Sequence, residues 1–263
     1  MSPVAAGIDA GTQVHLAIEA HVAVITIDRP HARNAISLQT MAELAPALQT
    51  VEHSDARVLV LRGAGEHAFV SGGDLKELAA IRDEAGAVAM ATTMRRLLDS
   101  LAAFPLPVIA AVNGHARGGG AEVAVAADLR IMAEDATIGF NQTKLAIMPA
   151  WGGAERLVEL VGAAQALALI GTARVLNAAE ALHLRVVEYT APRERFEAAW
   201  RELARSFADM PPELARSLKA VIAAARPRVH RELEADAVRR FAQLWVADEH
   251  WQAATAQGTR RRQ

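Results

Sequence analysis

Hydrophobic positions along the chain fall into short runs separated by stretches of helical periodicity. Val22–Ile27 is rich in β-branched residues and reads as a buried strand. Ser37 then stands as an N-cap before apolar positions Leu38, Met41, Leu44, Leu48 and Val51, which recur at helical spacing. Pro46 inside that helix predicts a kink. The order returns with strand Val58–Leu61, a glycine-bearing loop to Gly73 and a helix from about Asp74. A longer helix, about Ala87–Phe104, leads to strand Val108–Val112. A glycine-rich turn, a helix beginning near Gly118 and strand Leu129–Met132 follow. Such alternation predicts an α/β fold with short strands.

From about Ala191 the strand pattern stops. Arg193–Asp209, Pro211–Ala225 and His230–Ala254 read as consecutive helices, with Pro211 suited to a helix start and Pro227 to a break. No Gly- or Ser-rich linker intervenes. The expected organisation is an α/β core over residues 1–190 and a helical region over 191–263, with Thr259–Gln263 a basic tail expected to fray.

Composition narrows the function classes. Of 263 residues, 52% are hydrophobic and 22% charged, which fits a globular chain and not a disordered one. A formal charge of −2 provides no basic field for nucleic acid or an anionic membrane. Without cysteine the chain has no thiol nucleophile, disulfide or thiolate metal ligand, which agrees with a cytoplasmic address. Met1–Gln13 lacks the flank and core of a signal peptide. The longest apolar stretch, Leu101–Val112, is too short to span a bilayer and is broken by Pro105 and Pro107.

Four familiar chemistries fail on spacing. Gly63-Ala64-Gly65-Glu66-His67-Ala68 imitates a dinucleotide fingerprint, but Ala68–Gly73 continues as loop or strand where a helix should open. No G-x-x-x-x-G-K-[ST] occurs, and no two of the 9 histidines have H-x-x-x-H spacing, so no metal is expected. Ser71 lacks the first glycine of a nucleophile elbow.

Two glycine clusters remain, Phe69–Lys76 and Asn113–Glu122, each joining a strand-like run to a helix. Helix N-termini carry unpaired N–H groups and a partial positive charge, and glycine lets a ligand approach them. Two such sites converging on one oxygen would form an oxyanion hole, where one donor is worth about 3 kcal/mol of transition-state stabilisation.

With their flanks, these clusters resemble the crotonase (enoyl-CoA hydratase/isomerase) superfamily. The matching stretches are Asp28–Ser37, Ala68–Leu78, Pro107–Asp128 and Ile147–Val161. The resemblance implies a spiral of repeated ββα units, C-terminal helices that drive a homotrimer or a dimer of trimers, and acyl-CoA substrates without a separate cofactor. It places the oxyanion donors at Gly73 and Gly119. It places CoA contacts at Ala32, Arg33 and Ser71, and a phosphate-facing lysine at Lys76. Of the family's two glutamates the first matches Glu122, whereas the second position holds Gln142. Glutamine cannot exchange a proton near neutral pH. Trp151, ahead of Gly152-Gly153, looks like the ethylmalonyl-CoA decarboxylase branch. Three readings therefore stand open. One is a hydratase or dehydratase with Glu122 as sole acid/base. Another is a decarboxylase of methylmalonyl- or ethylmalonyl-CoA, with Asn141, Gln142 and His115 holding the departing carboxylate. The last is a non-catalytic scaffold.

Overall fold

The computed structural model describes residues 11–225 and 231–260. Pro227, the start of the helix expected from His230, and Arg261–Gln263 of the basic tail lie outside them. In chain order the strands are β1 (Val14–Glu19), β2 (Val22–Ile27), β3 (Val58–Gly63), β4 (Ala68–Val70), β5 (Val108–Val112), β6 (His115–Arg117), β7 (Leu129–Ala133), β8 (Thr137–Gly139), β9 (Val175–Asn177) and β10 (Tyr189–Ala191). The helices are α1 (Leu38–Glu52), α2 (Leu75–Leu78), α3 (Glu84–Ala102), α4 (Gly119–Ala126), α5 (Gly153–Val161), α6 (Ala163–Gly171), α7 (Ala178–His183), α8 (Arg193–Ala208), α9 (Pro212–Ala224), α10 (Arg231–Val246) and α11 (Asp248–Arg260).

The strands form a six-stranded sheet, β1-β2-β3-β5-β7-β10, and a four-stranded sheet, β4-β6-β8-β9. Within each, the pairs linking successive turns of chain are parallel. Each turn of the spiral therefore lays one strand in the large sheet, one in the small sheet, then a crossover helix: β3-β4-α3, then β5-β6-α4. Burial follows this layout. Every residue of β5 is buried, as expected for a parallel strand covered on both faces. β2, one place from the edge, alternates between buried and half-buried.

Most expected elements lie within a few residues of the observed ones, with two corrections. The helix expected from about Asp74 is the single turn Leu75–Leu78, and the longer one expected over Ala87–Phe104 starts at Glu84, where Asp83 accepts the Gly86 N–H at 2.8 Å. The helix expected over His230–Ala254 is two helices, and α11 turns back onto the 3-10 turn Gln142–Leu145. Buried Trp245 and His250 and half-buried Trp251 pack at that reversal, with centroids 4.7 and 5.3 Å from Trp245, and His250 Nδ1 bonds the Leu145 carbonyl at 2.7 Å. Thr259 and Arg260, expected in a frayed tail, belong to α11.

The pseudo-fingerprint Gly63–Ala68 opens no helix; β4 follows it. Its loop is tied down by two buried asparagines. Asn113 accepts the Gly63 N–H at 2.9 Å and donates to the Gly65 carbonyl at 2.7 Å, while Asn34 donates to the Ala64 and Ala68 carbonyls.

Candidate active site

A cavity of about 580 Å³ opens where the C-terminal ends of β4 and β6 turn into α2 and α4. The loop after β2 forms one wall. Its Arg29 guanidinium reaches the Ala35 carbonyl at 2.6 Å and Asp74 at 2.9 Å. That pairing holds the Asp74 carboxyl below its usual range against the opposing effect of burial. Ser71 stitches the same loop to the glycine turn, its N–H donating to Arg33 at 3.2 Å and its hydroxyl to Ala32 at 3.4 Å.

The two glycine turns share one backbone device. Gly72 has φ +105 and Gly118 φ +52, conformations that side chains rarely adopt. Each therefore turns the peptide that carries the N–H of the next residue, Gly73 or Gly119. Beside Gly73, Ile36 donates to Gly72 and Asp74 donates to Ile36, and the Gly73 N–H takes part in neither bond. The Gly119 N–H is the first of α4, where helix geometry supplies no partner. Both glycines line the cavity.

Glu122 lies one turn into α4, a helix whose every residue is buried. Its Oε2 accepts the backbone N–H groups of Trp151 at 2.7 Å and Gly153 at 3.0 Å, and its Oε1 accepts Gln142 Nε2 at 2.9 Å. Burial nevertheless dominates and pushes the carboxyl from 4.5 up to about 7. The N–H donors of Gly153, Trp151 and Gln142 pull down, and the nearby Glu155 charge pushes up. Gly153 is indispensable here: a Cβ would meet Glu122 Cγ at 2.3 Å and close off the N–H.

Nine of the residues singled out in the sequence line this one cavity: Glu122, Gln142, Gly73, Gly119, Ala32, Arg33, Ser71, Lys76 and Trp151. Arg33 and Lys76 are exposed, whereas Glu122, Gln142 and Trp151 are buried at its inner end. Asn141 also lines it. His115 does not: it is exposed and bonded to Thr137 Oγ1 at 2.9 Å, so it holds no carboxylate in the cavity. Its strand turns it outward, away from its buried neighbour Ala116.

Sequence reasoning missed several contributors. Phe241 and Trp245 of α10 and Gln257 of α11 reach the cavity from more than a hundred residues beyond the glycine turns, and no local motif marks them. The Trp151 and Gly153 N–H donors were equally invisible, because any residue carries a backbone N–H. Arg117 also lines the cavity, and its buried Nη1 has no hydrogen-bond partner. No helix among the described residues is long and apolar enough to cross a membrane.

Comparison with known proteins agrees with this geometry. The family model for enoyl-CoA hydratase/isomerase matches residues 17–254. A short-chain-enoyl-CoA hydratase of Clostridium acetobutylicum is 37% identical over 196 residues, covering 74% of each chain. An ethylmalonyl-CoA decarboxylase of Mus musculus is 32% identical over 209 residues, covering 78% of this chain and 65% of its own. Among solved structures, an enoyl-CoA hydratase from Bacillus anthracis superposes with a TM-score of 0.79 at 32% identity, covering 94% of this chain and 96% of the other. With its spiral of parallel strands, its glycine turns and its buried glutamate, the chain belongs to the enoyl-CoA hydratase/isomerase family of the crotonase superfamily.

Proposed function

We propose that this protein is an enoyl-CoA hydratase in which Glu122 is the single acid/base. One observation carries the reading: a buried carboxyl, gripped by three N–H donors, is pushed to about 7. A group with that pKa is both a competent base and a competent acid near neutral pH, so one residue serves both proton transfers. Water adds to Cβ of the enoyl thioester as its proton passes to Glu122, and the electron pair of the C=C bond moves to the thioester oxygen. The N–H groups of Gly73 and Gly119 stabilise that enolate. Glu122 then returns the proton to Cα, which restores the carboxylate and leaves a β-hydroxyacyl thioester. Gln142 holds Glu122 by its N–H and exchanges no proton. CoA lies along Ala32, Arg33 and Ser71, with Lys76 near its phosphates, and no further cofactor takes part.

The reading extends to assembly. Leu214, Leu218, Val221 and Ile222 form an exposed apolar stripe at i, i+4, i+7 and i+8 of α9, the two last 71% and 61% exposed. A homotrimer, alone or as a dimer of trimers, would cover it. Native mass spectrometry of the purified protein checks this, and a monomer at micromolar concentration would contradict it. The cytoplasm is the proposed location.

Decarboxylation of a short branched malonyl-CoA is the second reading, favoured by the amide at position 142 and by the similarity to the mouse enzyme. There, loss of CO₂ generates the enolate directly and Glu122 only donates a proton to it. The two readings need opposite forms of Glu122 in the free enzyme. With crotonyl-CoA, kcat/KM for hydration should rise with pH to a plateau above about 7; with ethylmalonyl-CoA, decarboxylation should fall above it. Mass spectrometry of products from both substrates decides between them. Turnover of neither, with CoA binding intact, would leave the scaffold.

A further inference from the structure

The Trp151 indole lies across both glycine turns. A Cβ placed on Gly119 would meet ring atoms Cζ3, Cη2 and Cε3 at 2.1, 2.6 and 2.8 Å. One placed on Gly73 would meet Cη2 and Cζ2 at 3.7 and 3.8 Å. The benzo edge thus lies against both glycines of the cavity, so any group bound beside the two of them has the indole as its neighbour. The ring is buried, and the backbone that carries it is held on both sides. The Trp151 N–H is bound to Glu122 at 2.7 Å, and its carbonyl accepts Arg156 Nη1 at 2.9 Å, while Arg156 is itself paired with Asp99.

Beyond the indole the lining is apolar and bulky. Leu78 and Met90 belong to the same lining, with Phe241 and Trp245 of α10, whose ring centroids are 5.6 Å apart. Trp245 is anchored as well, its Nε1 donating to the Ile81 carbonyl at 3.0 Å. With the indole packed against both glycines and a second aromatic pair in the same lining, a long acyl chain would have to displace packed rings, one of them held at its indole nitrogen, where a small hydrocarbon group displaces less.

We propose that Trp151 is a specificity-determining residue that limits this site to short apolar acyl groups, butyryl-sized rather than octanoyl-sized. The inference rests on the CoA-thioester reading above but not on which reaction follows. It is tested by calorimetric binding of saturated CoA thioesters from butyryl to decanoyl, none of which can be hydrated or decarboxylated. The wild-type protein should bind butyryl-CoA at least about tenfold more tightly than decanoyl-CoA. Trp151→Leu should erase or invert that ratio, and Trp151→Phe should reduce it part of the way. The phenylalanine variant carries the test if the leucine variant fails to fold, as judged by circular dichroism. Equal affinities along the wild-type series, or a ratio unmoved in the folded variants, would overturn the proposal. Binding of no thioester, with free CoA also unbound, would instead bring down the CoA reading on which it stands.

Discussion

The two glycine turns perform parallel tasks in contrasting surroundings. The first, Ser71–Asp74, opens a helix of one turn and is held by an ion pair, Arg29–Asp74, with exposed Arg33 and Lys76 beside it. The second, Gly118–Glu122, opens a helix buried on every side and delivers a carboxyl that burial, helped by the nearby Glu155 charge, drives up to about 7. The first turn sits beside exposed cationic side chains, and the second sits beside a buried carboxyl. The contrast teaches that a shared backbone device, a glycine of positive φ before a free N–H, is made chemically distinct by the dielectric around it.

The largest expected effect falls on the buried side. Glu122→Gln should lower hydration by about 10³-fold, measured as kcat with crotonyl-CoA. The same substitution should raise stability in alkali. Folding lifts the Glu122 pKa from 4.5 to about 7, so the native state binds the proton more tightly than the unfolded chain. Stability from this group is complete below 4.5 and is lost as pH rises to about 7. The neutral glutamine avoids that loss and offers an N–H to Gln142 Oε1, a buried oxygen that has no partner. Thermal melts should therefore place the inactive variant above wild type at pH 8 and not at pH 4; a variant no more stable at pH 8 would contradict the raised pKa.

Alanine at the two donor glycines comes next and should separate the turns. Gly119→Ala drives a methyl into the pinned indole at 2.1 Å and should destabilise the protein by about 3 kcal/mol, read by urea unfolding. Gly73→Ala crowds the Leu78 Cδ1 methyl at 2.9 Å, a flexible side-chain end, and meets the indole at ordinary contact distance, 3.7 Å, so it should cost less than about 1 kcal/mol. Equal costs would mean that Trp151 yields more readily than its bonds imply. A smaller effect is expected at Gln142→Met, which removes a donor to the carboxylate and should move the midpoint of the pH–rate profile upward. Least of all, Lys76→Ala should raise KM by about threefold, an effect shrinking with salt, because the side chain is exposed.

Longer elements were legible in the sequence and short ones were not. Strand Val108–Val112 and the Ser37 cap emerge as read, since an apolar run and a hydroxyl before a periodic helix are local signals. The three-residue strands of the small sheet escape, because three positions define no period. At the site, Glu122, Gln142 and the glycines were readable from motif spacing. Phe241 and Trp245 were not, since their place depends on α10 packing along α3.

The sequence by itself determined which chemistry is available: one carboxylate where a pair is usual, an amide beside it, no thiol, and two glycine turns able to free an N–H. Only the tertiary structure decided what that carboxylate is worth. Its pKa comes from the exclusion of water by neighbours distant in sequence, and its orientation comes from the N–H groups of Trp151 and Gly153, 29 and 31 residues away. Spacing specifies which groups are present. Desolvation and the direction of hydrogen bonds exist only once the chain has closed around them.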